Sequence, residues 1–109
     1  MDIDLDAVAG DAAQAVLGIL SEAGQDLGAF ARAEAKKIAT SLAEIAQLRA
    51  EGLINDEEMA LHLEIQKQAS RASLMAIKGI GIITAERAVN AAIGVVTEAL
   101  SAVLPFPIG

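Results

Sequence analysis

From Leu61 to Val103 the chain repeats one spacing without a slip. Leu61, Ile65, Gln68, Ala72, Met75, Gly79, Ile82, Glu86, Val89, Ile93, Val96, Leu100 and Val103 follow alternating steps of four and three residues. A second row, Leu63, Ser70, Leu74, Ile77, Gly81, Thr84, Ala88, Ala91 and Val95, keeps the same period beside it. Such steps return to one face of an α-helix and are incompatible with the alternation of a strand. Two adjacent rows make an apolar face broader than the single seam one partner helix covers.

The helix carrying these rows has a sharp beginning. Over Ala50-Glu51-Gly52-Leu53-Ile54-Asn55-Asp56-Glu57-Glu58 a helix stop and a helix start stand back to back. Gly52 suits the left-handed residue that ends a helix, with Arg49 at its negative end. Asn55 is placed as an N-cap, Glu58 three residues later completes a capping box, and Asp56 and Glu57 supply an acidic first turn. Leu53 or Ile54 is positioned to act as a hydrophobic staple. The stretch from Ser41 to Gln66, with Leu42, Leu48, Gly52, Ile54, Glu57 and Glu58, resembles the short helix–turn–helix modules appended to many bacterial proteins. That resemblance covers about a quarter of the chain and brings no functional residues with it.

Before the turn, Val16, Leu20, Ala23, Leu27 and Phe30 form one heptad row, and Ile38, Leu42 and Ile45 form another. The eleven-residue step from Leu27 to Ile38 favours a nearly straight path over a supercoil. Ala31, Ala35, Ala39 and Ala43 recur at every fourth position, a ridge of methyl groups that a second helix can approach closely, and Gly24-x-x-x-Gly28 extends it. The expected fold is all-α, in one domain. Its leading form is a long antiparallel helical hairpin: helix over about 5–50, turn at 51–55, helix over about 56–104, and an apolar tail at 105–109 behind Pro105 and Pro107. Glycines inside these helices each cost about 1 kcal/mol relative to alanine. They give the alternative, a compact four-helix monomer broken at Gly24–Gly28 and Gly79–Gly81, with Thr84 as the last N-cap. The unbroken 4-3 rhythm through Gly79 favours the hairpin.

Composition narrows the chemistry. The apolar fraction is 54% of 109 residues with only two Phe and no Trp or Tyr, so the core must be built from Ala, Ile, Leu and Val. There is no cysteine, which excludes disulfides and thiolate chemistry. A net charge of −7 opposes binding to nucleic acid and to anionic lipid. The acids concentrate at the start, where Asp2, Asp4, Asp6, Asp11, Glu22 and Asp26 meet no base before Arg32. An acidic beginning is unlike the basic start of a secretory signal, so the default expectation is cytoplasmic.

No catalytic constellation emerges. His62, the one histidine, shares a helix face with Glu58 and Gln66, short of the three or four ligands a metal needs. A Glu-x-x-His di-iron motif is broken by Met59. Adjacent acids such as Glu57 and Glu58 point apart on a helix, and Gly79-Ile80-Gly81 lacks the lysine and hydroxyl of a phosphate loop. The expectation is a protein with no enzymatic activity, no cofactor and no metal.

An extended hairpin would leave its second row uncovered. Ten Ile, Leu and Val side chains left in water forgo roughly 15 kcal/mol, as much as the whole stability of a typical domain. The hairpin is therefore expected to associate with itself, as a dimer forming a four-helix bundle, as something larger or as a filament. A protein partner would serve the same end. The expected contact surfaces are the ridge Ala31, Ala35, Ala39 and Ala43, and the row Ile65, Ala72, Met75, Ile82, Val89, Ile93, Val96 and Leu100. Gln68 and Glu86, polar members of that row, are expected to set its register. In size and layout the chain resembles secretion-system needle subunits and small helical-hairpin secretion substrates, without the Trp-x-Gly turn of the latter. Those likenesses imply a structural or assembly role. The alternative is a membrane-active or lipid-surface protein working through the apolar C-terminal half, where Glu98 is the one charge from Ala88 to Gly109.

Overall fold

The computed structural model describes residues 3–24 and 27–104 and is all-α. Four helices follow one another: α1 (Leu5–Glu22), α2 (Ala29–Ala50), α3 (Asp56–Met75) and α4 (Ile82–Val103). Of the two arrangements expected, this is the compact one. An unbroken helix over about 5–50 would be roughly 69 Å long at 1.5 Å per residue, whereas the longest dimension of the molecule is 41 Å. Its radius of gyration, 13.6 Å, is that of a single packed domain.

Both breaks have a local cause. Gly24 (φ 82) and Gly79 (φ 91) occupy the left-handed region, which costs a residue with a Cβ about 1–2 kcal/mol. At the first break the amides of Ala23 and Gly24 return to Ile19 O and Ser21 O, closing the last turn of α1. Gly28 then stands before α2 as a cap without a side chain. Gly24 lies past the end of α1 and Gly28 before the start of α2, so the two do not line one helix face and form no association motif. At the second break Ile77 is half-buried and Ile80 is buried. The apolar rhythm survives there because the turn docks its own isoleucines on the core. Helix α4 starts at Gly81, with Thr84 already inside it.

The central turn forms as its residues dictate. Gly52 adopts φ 78. The Asn55 side chain accepts from the Glu58 amide at 2.8 Å while Glu58 Oε1 accepts from the Asn55 amide at 2.9 Å, a reciprocal capping box. Ile54 and Met59 pack into the core, in the positions of a staple, and Leu53 is exposed. Arg49 Nε donates to Asp56 Oδ1 at 2.7 Å, tying the last turn of α2 to the first of α3. Replacing Asn55 by alanine removes the cap and is expected to cost about 1 kcal/mol. Thermal unfolding should show a midpoint lower by roughly 4–8 °C, and an unchanged midpoint would mean the box contributes nothing.

Helix α1 lies against both α2 and α4, α3 lies against α2 and α4, and α1 and α3 do not touch among the described residues. Helices α2 and α4 meet across the diagonal. Small side chains allow this approach: Ala35, Ala39, Ala43 and Ala46 of α2, Ala85, Ala88 and Ala92 of α4, and Ala12 of α1 are all essentially without solvent contact. Val16 and Leu20, Leu42, Val89, Val96 and Leu100 fill the space between them. Helix α3 is peripheral, burying only Met59, Ser70 and Leu74.

Candidate interaction surface

Helix α3 has two sides with opposite chemistry. Its inner side comes from the second row of the sequence: Ser70 and Leu74 are buried and Leu63 is half-buried. Its outer side is the first row. There Leu61 and Ile65 keep 61% and 60% of their surface in water, Met75 keeps 42%, and Gln68 and Ala72 are also exposed. The row continues onto the start of α4 with Ile82 at 49%, beside Ile83 at 71%. Singly exposed apolar residues are ordinary, whereas an aligned set makes this side of α3 the candidate contact surface.

A chain of side-chain hydrogen bonds runs from Gln68 within this strip to its border on the α4 side. Gln68 Nε2 donates to Glu64 Oε1 at 3.0 Å, Gln68 Oε1 accepts from Arg71 Nη2 at 2.6 Å, and Arg71 Nη1 donates to Glu86 Oε1 at 3.0 Å. The two polar residues singled out in the row, Gln68 and Glu86, are thereby joined through Arg71. This bridge fastens α3 to the first turns of α4 and sets Ile82, one turn before Glu86 on the same face, beside the end of α3.

The other residues expected at an interface between copies lie inside one copy. Ala31, Ala35, Ala39 and Ala43 are buried, as are Val89, Val96 and Leu100, and Ile93 is half-buried. The break at Gly79 explains the division. It turns α4 relative to α3, so one sequence row faces outward on α3 and, after the first turn of α4, inward from Val89 onward.

One polar feature had no counterpart in the sequence reading. Glu34 is buried at the α2–α3 contact, accepting from Ser73 Oγ, with Lys37 Nζ at 3.6 Å from its other oxygen. Ser41, Gln66 and Ser70 complete the walls of a cleft of about 160 Å³. Gln66 Nε2 donates to Ser70 Oγ at 3.0 Å, so these polar groups satisfy one another. The available signal was a carboxylate inside the alanine ridge, facing a helix whose inner side carries two serines. His62 is exposed. Among the described residues no three acids or histidines gather closely enough to hold a metal ion, and no helix is long and apolar enough to cross a membrane. Comparison with known protein families, curated proteins and solved structures returns no match.

Proposed function

We infer that this is a non-enzymatic helical protein that acts by self-association, in a structural or assembly role. The observation carrying this reading is the aligned exposure of Leu61, Ile65, Met75 and Ile82 on a folded copy whose other apolar rows are internal. Covering side chains that are 42–61% exposed is worth roughly 1 kcal/mol or a little more each. A symmetric pair of copies would cover eight of them, for about 8 kcal/mol or a little more before the cost of losing independent motion. That balance supports a contact of micromolar strength or weaker. The chemistry agrees: a hydrogen-bonded polar chain runs from the strip to its border, and the buried carboxylate Glu34 is engaged by Ser73 and Lys37.

The test is the mass of the purified chain over a concentration series. Sedimentation equilibrium or light scattering from about 1 µM to several hundred µM, the range bracketing such an affinity, should show the mass rising from one copy to two or more. A single-copy mass across the whole range would refute the reading.

A further inference from the structure

We propose that the partner on α3 is a second α3, antiparallel, in one register set by Glu64 and Arg71. This rests on the self-association proposed above and adds its geometry. On α3 the strip of Leu61, Ile65, Gln68 and Ala72 lies opposite the buried side. Glu64 and Arg71, each one residue before a strip member, border it on the side of α4, as the Arg71–Glu86 bridge establishes. The other border carries His62 and Ala69, with no acid to oppose a base.

When two identical helices pair antiparallel, residues of the same border face each other across the axis. Placing Leu61 opposite Ala72 of the second copy, and Ile65 opposite Gln68 of the second copy, puts a large side chain against a smaller one in each layer. The same placement sets Glu64 against Arg71 of the second copy, twice by symmetry. Sliding one heptad in one direction sets Glu64 against Glu64 of the second copy, and in the other direction Arg71 against Arg71. A parallel pair sets both residues against alanines, Ala69 and Ala76. The slide that pairs Glu64 with Glu64 also sets Glu57 against Arg71 of the second copy, so the first register is the one that joins opposite charges within α3 without a like pair. Arg71 can serve it, since its guanidinium has five N–H donors in a fixed fork, and Glu86 and Gln68 engage two of its nitrogens. Because this contact uses the same patch on both copies, it closes on itself, and α3 alone makes a two-fold dimer and no filament.

Two charge reversals test the register. E64R places like charges together in its own homodimer, as does R71E, and each should raise the dimer dissociation constant about tenfold or more relative to wild type. Mixed in equal amounts, the two variants restore both opposite-charge pairs and should dimerise as tightly as wild type. If wild type associates and mixing restores nothing, the register is wrong while self-association stands. If wild type is a single copy at every concentration, the functional reading itself fails. R71E also removes the bridge to Glu86, so a second measurement avoids it. The chain has no cysteine, and I65C mixed with Q68C should oxidise to the mixed disulfide in preference to either homodimer. Equal or greater self-linking of Q68C would overturn the antiparallel arrangement.

Discussion

Ala39→Leu should lower the stability of the fold by about 3 kcal/mol, the upper part of the usual range for overpacking a close-packed interior. Ala39 has no solvent contact and sits midway along Ala35, Ala39, Ala43 and Ala46, the residues that let α2 approach its neighbours. Leucine adds three carbons where the surrounding space is already filled, so either α2 moves outward or the new side chain leaves its rotamer wells. For a domain of this length such a loss lowers the unfolding midpoint by roughly 12–24 °C. Ala33→Leu, on the exposed side of the same helix, supplies the control and should change stability by less than about 0.5 kcal/mol. If the two variants melt alike, close approach along the ridge is not what holds α2 in place.

That ridge marks where sequence reading succeeded and where it was incomplete. A methyl group at every fourth residue announces a close helix neighbour, and Ala31, Ala35, Ala39 and Ala43 all have one. Spacing within a helix does not say which helix the neighbour is. Had the chain run straight through Gly24, the ridge would have needed a second copy; with α1 folded back at Gly24, the same residues are covered from within. The turn at Ala50–Glu58 was fully legible because its signals are local: a cap, a reciprocal acid and a left-handed glycine lie within nine residues and need no tertiary partner. The break at Gly79 was obscured because apolar residues continue across it. Ile77 keeps its place in the second row, and Ile80 adds an apolar residue outside both rows, for a reason unrelated to helix continuity, namely that a turn between packed helices must also present apolar groups to the core.

The exposed strip was legible in a similar, partial way. Two rows on one helix meant that one would remain outside, and α3 leaves the first row in water. The sequence could not say that α4 would bury its own stretch of that row, since the outcome depends on a rotation at Gly79 encoded in no side-chain period. Gln68 and Glu86 stood out as polar interruptions, but their connection through Arg71 requires α3 and α4 to lie side by side in opposite directions. Glu34 was hidden for another reason: it stands one turn before Ile38 and two before Leu42, on their inward face, but a carboxylate on a charged stretch of α2 reads as a surface residue until Ser73 arrives to bond it.

Because the strip takes no part in the core, it can be erased without disturbing the fold. The double variant Leu61→Gln, Ile65→Gln should leave the unfolding transition of the single copy within about 0.5 kcal/mol of wild type, since both positions are mostly solvated. Glutamine also matches leucine and exceeds isoleucine as a helix former, and it adds no charge to a chain already at −7. Association should respond very differently. A symmetric pair loses four apolar side chains, each worth roughly 1 kcal/mol when covered, so the dissociation constant should rise about 1000-fold. A micromolar dimer would then be a single copy at any practical concentration. Phe30→Gln offers the comparison, because Phe30 is similarly exposed at 58% but lies on α2, outside the row; it should leave the dissociation constant unchanged. If the double variant assembles as wild type does, the copies meet elsewhere, and the exposed row on α3 has no part in the contact. If it unfolds instead, Leu61 and Ile65 belong to the core, and α3 must pack with its other side outward.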